Sequence, residues 1–261
     1  ERGHLVVVFE AAPHAGGQLK LAARSPRRRD LAGIVDWRMD RCTEMGVDFR
    51  FNAYAEANDV LGEQPDLVII ATGGLPNTSF LQAGEDLAVT TWDILSGDVA
   101  PGADVLVYDD NGGHSALQAA ELLAEAGSRV EIITPERFFA PEIGGLNHVA
   151  YAKCFQAHNV TITLNTRVVS VNRDGNKLVA TLGSDYTELN QKRRIDQVVV
   201  EHGTLPLDEL YFELKPASVN LGEVDYQALL AGAPQSVVRN SDGAFRLWRI
   251  GDAVSSRNVH A

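Results

Sequence analysis

A glycine-containing turn between a predicted strand and a predicted helix gives the first indication of nucleotide chemistry. Val105 to Tyr108 is an apolar run, and a helical pattern begins near Ser115. Between and just beyond them, the three positions of a dinucleotide fingerprint are occupied by Asn111, Gly113 and Ala116. In that fingerprint the glycines allow a tight turn, close approach of the backbone to a pyrophosphate, and packing of the helix on the strand. The turn therefore predicts a phosphate site at a helix N-terminus.

Two substitutions oppose a working nicotinamide nucleotide site in this turn. The following strand ends at Thr134, where an acidic residue would accept hydrogen bonds from a ribose. Asp109 and Asp110 bring negative charge to the place of the pyrophosphate. We interpret the segment as a βαβ scaffold whose nucleotide site has degraded, with NAD(P) binding as the alternative.

A better-placed acid occurs near the start of the chain. Glu10 follows the apolar run Leu5 to Phe9, at the strand end where such folds bind an adenosine ribose. Gly16 and Gly17, followed by Gln18, would let the backbone approach a ligand closely. The simpler alternatives are a solvated carboxylate at a strand end and an ordinary surface turn.

Two further strand ends carry residues suited to a nucleotide. Thr72 and Gly73 follow the apolar strand predicted for residues 66–71, and open α/β sheets bind ligands at the carboxyl ends of their strands. Gly251 and Asp252 follow the last predicted strand, where a carboxylate can accept hydrogen bonds from a polyol such as ribityl. These residues complete the candidate cofactor site.

An internal repeat organises these motifs. Gly3 to Glu10 resembles Gly127 to Thr134, and Asp66 to Pro76 resembles Asp196 to Pro206. Two βαβ-type units therefore follow one another, and the first lacks an opening strand, a glycine loop and a helix. The predicted fold is α/β, with a nucleotide-binding domain at residues 1–97 plus 207–261 and an inserted domain at residues 98–206. The chain is expected to be part of a longer protein.

The coarse reading of the elements makes several specific predictions. Residues 5–9 and 66–71 are read as buried strands, and a helix over residues 30–46 places Cys42 in the core. Residues 168–172, 177–182 and 194–200 are read as antiparallel strands. Arg27 and the two arginines after it are expected in a solvated loop.

Composition excludes several classes of protein. The 261 residues are 45% hydrophobic, which suffices for a packed core, and the net charge of −12 opposes nucleic-acid binding. No apolar run of about 18 residues and no signal peptide are visible, so no membrane partner and a cytoplasmic location are expected. The two cysteines, Cys42 and Cys154, cannot form a disulfide scaffold or a four-cysteine metal site. No metal-ligand spacing and no catalytic constellation is found.

An ordered set of short motifs resembles a known family. The set consists of Glu10-Ala11, Gly16 to Leu19, Ala71 to Gly73, Thr91 to Asp93 and Ile250 to Ala253. Together they resemble the carboxyl-terminal half of the fused NADH:flavin oxidoreductases. That family includes trimethylamine, dimethylamine and histamine dehydrogenases, N-methylproline-type demethylases and 2,4-dienoyl-CoA reductase. Each motif is weak alone, but their order covers nearly the whole chain.

The resemblance implies tandem Rossmann-like domains of the glutathione reductase type, the first truncated at its N-terminus. It further implies FAD or ADP in the parent protein, with Glu10 on the adenosine ribose and Asp252 near the ribityl or phosphate end. Gly17 and Gln18 would lie along the nucleotide, with the Thr72 segment behind it. The other half of the parent would hold an FMN-binding barrel and a [4Fe–4S] centre.

The resulting hypothesis is a nucleotide-binding part of a flavin-dependent oxidoreductase, an amine dehydrogenase or N-demethylase, that is inactive on its own. Its partners would be the FMN-binding barrel of the same parent chain, an electron acceptor protein and, in an oligomer, further copies of itself. One alternative is an NAD(P)H-dependent flavin or 2-enoyl reductase. The other is a structural ADP-binding module without catalysis.

Overall fold

In the computed structural model, residues 2–188 and 190–255 are described. The strands of this part of the chain are β1 (Val7–Glu10), β2 (Asp48–Phe51), β3 (Leu67–Ile70), β4 (Gly74–Pro76), β5 (Val89–Thr90), β6 (Asp104–Asp109), β7 (Arg129–Ile133), β8 (Thr161–Thr163), β9 (Arg167–Asp174), β10 (Lys177–Gly183), β11 (Gln191–Ile195), β12 (Gln197–Glu201), β13 (Thr204–Pro206) and β14 (Arg246–Arg249). The α-helices are α1 (Gly17–Ala22), α2 (Ala32–Glu44), α3 (Ala57–Gly62), α4 (Thr91–Ser96), α5 (His114–Glu125), α6 (Gly145–Ala157), α7 (Glu209–Leu214) and α8 (Tyr226–Leu230).

Contacts divide the chain into two units. The first unit comprises residues up to 15, 38–75 and those from 204 onward, and the second comprises residues 16–37 and 76–203. The domain boundaries drawn from the sequence stay a prediction. Each unit is described separately below.

The second unit is built on a five-stranded parallel sheet in the order β5-β12-β6-β7-β8. The middle of each of two inner strands, residues 105–108 of β6 and 198–200 of β12, is an apolar run, as is typical of strands covered on both faces. On β6, Val105 and Val107 pack with the helices α5 and α6, whereas Leu106 and Tyr108 pack with the strands β9 and β10. The alternation of side chains along a strand thus divides one apolar run between two cores.

An antiparallel sheet in the order β11-β10-β9 covers the second face. The prediction of a third antiparallel strand over residues 194–200 was wrong. The chain ends β11 at Ile195 and begins β12 at Gln197, where it joins the parallel sheet beside β6. The change of sheet occurs at Asp196, whose backbone N–H donates to the carbonyl of Asp104 (2.9 Å).

The first unit contains two short parallel ladders, β1-β2 and β3-β14. Among the described residues no ladder joins one pair to the other. Val68, Ile70 and Leu247 form a small core with α7. The expectation of fully buried strands was wrong here: Leu67 is 49% exposed and Leu5 is completely exposed. With one partner strand each, β1 and β3 bury only part of their apolar surface.

Two smaller expectations were also corrected. Cys42 is half-buried rather than in the core, because α2 has only one buried residue, Val35. Arg27 is not simply solvated, since its guanidinium forms an ion pair with buried Glu121 (2.5 Å). No helix in the described ranges is both long and apolar enough to cross a membrane.

Candidate functional site

Two buried acids lie side by side at the carboxyl edge of the parallel sheet. Asp109 ends β6 and Glu201 ends β12, and the two residues are partners in the strand register. They are only 1% and 6% exposed, respectively. Parallel sheets of this kind bind ligands at this edge, so the two acids lie where a nucleotide would be expected.

Asp109 occupies the backbone donors of the glycine turn. Its Oδ1 accepts hydrogen bonds from the N–H groups of Asn111 (3.1 Å) and Gly112 (2.9 Å). Gly112 has a φ of +69°, and a Cβ there would lie 2.5 Å from Pro141. The Asp109 side chain therefore closes the turn, because the N–H groups that a pyrophosphate would need already donate to it.

Glu201 closes the turn from the neighbouring strand. Its Oε2 accepts a hydrogen bond from the Thr91 hydroxyl (2.5 Å), and its Oε1 accepts from the Gly203 N–H (3.1 Å) and the Asn111 side-chain amide (3.3 Å). The Asn111 side chain thus binds a carboxylate of its own chain. The repeat held the signal for this acid, because Glu201 stands where the first copy has Ala71.

Burial controls the ionisation of this pair. Loss of solvation, supported by the nearby charge of Glu201, raises the pKa of Asp109 to about 7 against two opposing backbone hydrogen bonds. Burial also raises the pKa of Glu201, although its three hydrogen-bond donors oppose the shift. At neutral pH the Asp109 carboxyl is therefore protonated in a substantial fraction of the molecules.

A second polar pair lies beside the buried acids. The Nδ1 of His202 is 2.6 Å from an Asp110 oxygen, and the Phe80 ring lies 4.4 Å from the imidazole. Tyr108 donates its hydroxyl to Asp110 (3.1 Å), and burial raises the pKa of Tyr108 well above its usual value. Together with Arg167 these residues line a cleft of about 180 Å³. Sequence reasoning missed His202 and Phe80, which carry no recognisable spacing.

The remaining fingerprint positions match their predicted places. Gly113 precedes α5 in an extended conformation, and Ala116 is completely buried in the first turn of that helix. Thr134 is buried at the end of β7, where its hydroxyl accepts the N–H of Glu136 (3.2 Å). No ribose-binding acid stands at that strand end.

In the first unit, Glu10 stands at the end of β1 and is half-buried. Its Oε1 accepts the N–H of Ala12 (2.9 Å), which fixes the turn after the strand. That bond uses one carboxylate oxygen and orients the carboxylate at the strand end. The position matches the sequence prediction, and the role in binding a ribose stays a prediction.

The structure brings Thr72, Gly73, Gly251 and Asp252 to one edge. The strands that precede them, β3 and β14, are paired, and the N–H of Ile250 donates to the carbonyl of Ile70 (2.9 Å). The Thr72 hydroxyl donates to the carbonyl of Leu207. Gly73 and Gly251 have φ values of +75° and +61° with open space where a side chain would be.

Arg249, at the end of β14, was missed by the sequence reasoning. Its guanidinium forms an ion pair with Asp208 and lies over the rings of Tyr211 (4.8 Å) and Phe212 (5.3 Å). This network holds the last strand against α7, close in sequence to Gly251. The position of Arg249 in the sequence gave no signal of these contacts.

Gly16, Gly17 and Gln18 belong to the second unit, at the start of α1. Gly16 has a φ of +123°, and a Cβ there would lie 2.9 Å from the Lys20 side chain. A glycine is therefore required for the turn itself. The six-residue helix that follows adds no further indication of a ligand, and the nucleotide role of these three residues stays a prediction.

The cysteine of α6 has no activated thiol. Burial, together with the charges of Glu121 and Glu125, raises the pKa of Cys154 to about 11. A nucleophilic cysteine requires the opposite shift.

Comparison with known proteins assigns the class of protein. The family of pyridine nucleotide-disulphide oxidoreductases matches residues 64–228. The chain belongs to this family, and its tandem FAD/NAD-type fold agrees with the predicted α/β class. The predicted resemblance to the fused flavin oxidoreductases is confirmed by the particular relatives.

Those relatives include two amine-oxidising enzymes. The chain is 58% identical to the "Probable N-methylproline demethylase" of Rhizobium meliloti, covering 100% of the chain and 38% of the relative. It is 39% identical to the "N,N-dimethylglycine/sarcosine dehydrogenase" of Chromohalobacter salexigens, covering 100% of the chain and 39% of the relative. The chain thus spans about two fifths of these proteins.

A solved structure confirms the fold. Histamine dehydrogenase from Rhizobium sp. 4-9 superposes with a TM-score of 0.76 at 22% identity, over 98% of this chain and 38% of that one. At that identity the match concerns the fold alone. Taken together, the matches support a cofactor of the flavin type in its general form.

Proposed function

We propose that the chain is the nucleotide-binding part of a flavin-dependent oxidoreductase that oxidises N-methylated amines, as a dehydrogenase or N-demethylase. The observation that carries the proposal is the 58% identity with the N-methylproline demethylase over the full chain. Both named curated relatives act on N-methylated amino acids according to their names. N-methylated amino acids are therefore the proposed substrate class.

The first unit would hold the adenine nucleotide of FAD or ADP. Its donor and acceptor set suits that group: Glu10 offers a carboxylate for ribose hydroxyls, and Asp252 offers one for ribityl or phosphate-end hydroxyls. Gly73 and Gly251 leave open space beside paired strand ends. Thr72 and Gly73 would support the nucleotide from behind.

The second unit would not bind a nicotinamide nucleotide. Asp109 already uses the N–H groups of Asn111 and Gly112, and Thr134 replaces the ribose-binding acid. This favours an enzyme that receives electrons from an amine over an NAD(P)H-dependent reductase. Asn111 and Gly113, proposed from the sequence as cofactor-binding residues, would then serve the closed turn.

The chemistry would take place in the rest of the longer protein, with the FMN and the [4Fe–4S] centre that the resemblance implies. An N-methyl group would lose two electrons and a proton to the flavin, and the resulting iminium carbon would be hydrolysed by one water to formaldehyde and the free amine. The electrons would then pass to an acceptor protein. No residue of this chain is proposed to react.

The test uses the longer protein that contains this chain. Purified protein is incubated with N-methylproline, N,N-dimethylglycine or NADH, each with an artificial electron acceptor, and formaldehyde and acceptor reduction are measured. We expect one formaldehyde for every two electrons transferred to the acceptor with an N-methylated amino acid, and no reduction with NADH. Reduction driven by NADH alone, without any with the amines, would establish the reductase alternative.

A second measurement addresses the structural alternative. Heat-released nucleotide from the purified longer protein is separated and quantified. One FAD or ADP per chain in addition to FMN supports the nucleotide-binding role. An active enzyme that releases only FMN would leave this part without a nucleotide.

A further inference from the structure

Two acids and a thiol converge between α5 and α6, outside the nucleotide sites. Glu121 and Glu125 stand four residues apart and therefore lie on the same face of α5, and Cys154 belongs to α6. One ligand atom from each of the three lies within 4.8 Å of the others. All three residues belong to the second unit.

The buried acid of this cluster has an oxygen without a partner. Glu121 is 5% exposed, and its Oε1 is paired with Arg27 (2.5 Å). Its Oε2 is buried and accepts no hydrogen bond. An unsatisfied buried carboxylate oxygen costs free energy, so a bound cation at this oxygen would remove a defect of the fold.

From these observations we propose that Glu121, Glu125 and Cys154 bind a divalent cation of borderline softness, such as Zn²⁺. A thiolate selects such metals over Mg²⁺ and Ca²⁺, which take oxygen ligands. Three protein ligands with one exposed residue, Glu125, leave room for a water as the fourth ligand.

The local charge agrees with this assignment. When the Cys154 thiol releases its proton on metal binding, two carboxylates and the thiolate carry three negative charges, and Arg27 supplies one positive charge. A divalent cation would neutralise the remainder. Metal–ligand distances of about 2.0–2.3 Å place neighbouring ligand atoms about 3.5 Å apart, so small side-chain rotations would close the site.

The cation would clamp two helices of the second unit. Tyr151 and Phe155 of α6 already pack with α5 in the same core, and Cys154 lies against that core between them. A metal shared by α5 and α6 would add to this packing. The proposed role is therefore structural, and it does not depend on the proposed enzymatic function.

Cobalt(II) titration of the longer protein that contains this chain, recorded as difference spectra against the protein before cobalt is added, tests the site. Co²⁺ bound to a thiolate shows a sulfur-to-metal charge-transfer band in the near ultraviolet together with visible ligand-field bands. We expect one equivalent of Co²⁺ to give these bands, and Zn²⁺ to displace it. A Co²⁺ spectrum without the charge-transfer band would overturn the proposal.

Matched variants identify the ligands. Cys154→Ser should abolish the charge-transfer band, whereas Cys42→Ser, which removes the other cysteine of this chain, should leave it unchanged. Glu125→Gln, at an exposed position, should weaken Zn²⁺ binding by about tenfold or more. Glu142→Gln, an exposed acid elsewhere in the unit, should not weaken it. A band that survives Cys154→Ser, or binding unaffected by Glu125→Gln, would contradict the assignment.

Discussion

The two copies of the internal repeat carry different side chains at matching strand ends. β12 ends at Glu201 and is followed by His202, whereas the matching positions of the first copy, just after β3, are Ala71 and Thr72. In the second unit the acid binds three donors and closes the neighbouring turn. In the first unit, Gly73 and Gly251 have open space where a side chain would be. Glu201 therefore distinguishes the strand end of the second copy from that of the first.

The matching strands of the two copies also differ in how completely neighbouring layers bury them. All five residues of β12 are buried, whereas β3 alternates between exposed and buried residues. The second unit gains its cover from helices on one face and antiparallel strands on the other. Burial in these units follows from the number of neighbouring layers, since β3 is the more apolar strand in sequence and yet the more exposed.

Core truncation gives the largest expected difference between the units. Leu106→Ala in β6 should lower the free energy of unfolding by about 2–5 kcal/mol, because Leu106 is fully buried. Leu67→Ala in β3 should lower it by roughly 1 kcal/mol or less, since half of that side chain is already in water. Equilibrium urea unfolding measures both, and equal losses would contradict the difference in burial.

The buried acid should give the second unit a pH-dependent stability. Folded Asp109 keeps its proton up to about pH 7, whereas in the unfolded chain it would lose the proton near its ordinary pKa of 3.8. Its stabilising contribution is therefore fully present below about pH 4 and lost as pH rises through about 7. Over this window we expect a loss on the order of a few kcal/mol.

Asp109→Asn separates this effect from other pH effects. The amide oxygen can still accept from the turn, but it does not titrate, so the fall in unfolding free energy between pH 5 and pH 8 should become smaller. Asp86→Asn, at an exposed site of the same unit, serves as the control and should keep the wild-type slope. An unchanged slope in Asp109→Asn would show that Asp109 is ionised throughout.

Glu10→Ala should weaken nucleotide binding at the site proposed for the first unit. In the longer protein, loss of the carboxylate is expected to weaken retention of FAD or ADP by about tenfold, corresponding to ~1.4 kcal/mol. Nucleotide released during equilibrium dialysis measures the change. Glu44→Ala, at an exposed position of α2, should retain nucleotide as the wild type does. Equal retention by Glu10→Ala would remove Glu10 from the site.

NADH binding at the glycine turn of the second unit should show the smallest change. Thr134→Glu restores a ribose-binding acid, yet we expect no gain in NADH binding, because Asp109 still occupies the turn's N–H groups. Titration followed by nicotinamide fluorescence measures this, with wild-type chain beside the variant. A micromolar dissociation constant for either protein would show that the turn opens for a phosphate.

The sequence predicted the class of fold and the places of most strand ends well. The repeat and the alternation of apolar runs with glycine turns are local signals, and Asn111, Gly113 and Ala116 lie in the predicted strand–turn–helix. The partners of Asp109 were not predictable, because which N–H groups it binds depends on the turn geometry. His202 and Phe80 meet only through long-range packing, which leaves no periodicity in sequence.

Burial was the property the sequence predicted least well. Leu5 and Leu67 lie in runs as apolar as that of Leu106, but exposure depends on which layers cover a strand. The change of sheet at Asp196 was missed for a similar reason. A continuous apolar pattern does not record where a chain passes from an antiparallel to a parallel neighbour.

The pairing of β4 with β13 has an evolutionary consequence. These strands end the matched segments 66–76 and 196–206, and the N–H of Asn77, just after β4, donates to the carbonyl of Gly203, just before β13 (3.0 Å). The chain therefore leaves and returns through adjacent positions, as it does where one gene segment has been inserted into another. Segment 77–203 is bounded by this one strand pair, while residues 16–37 join the second unit from outside the segment.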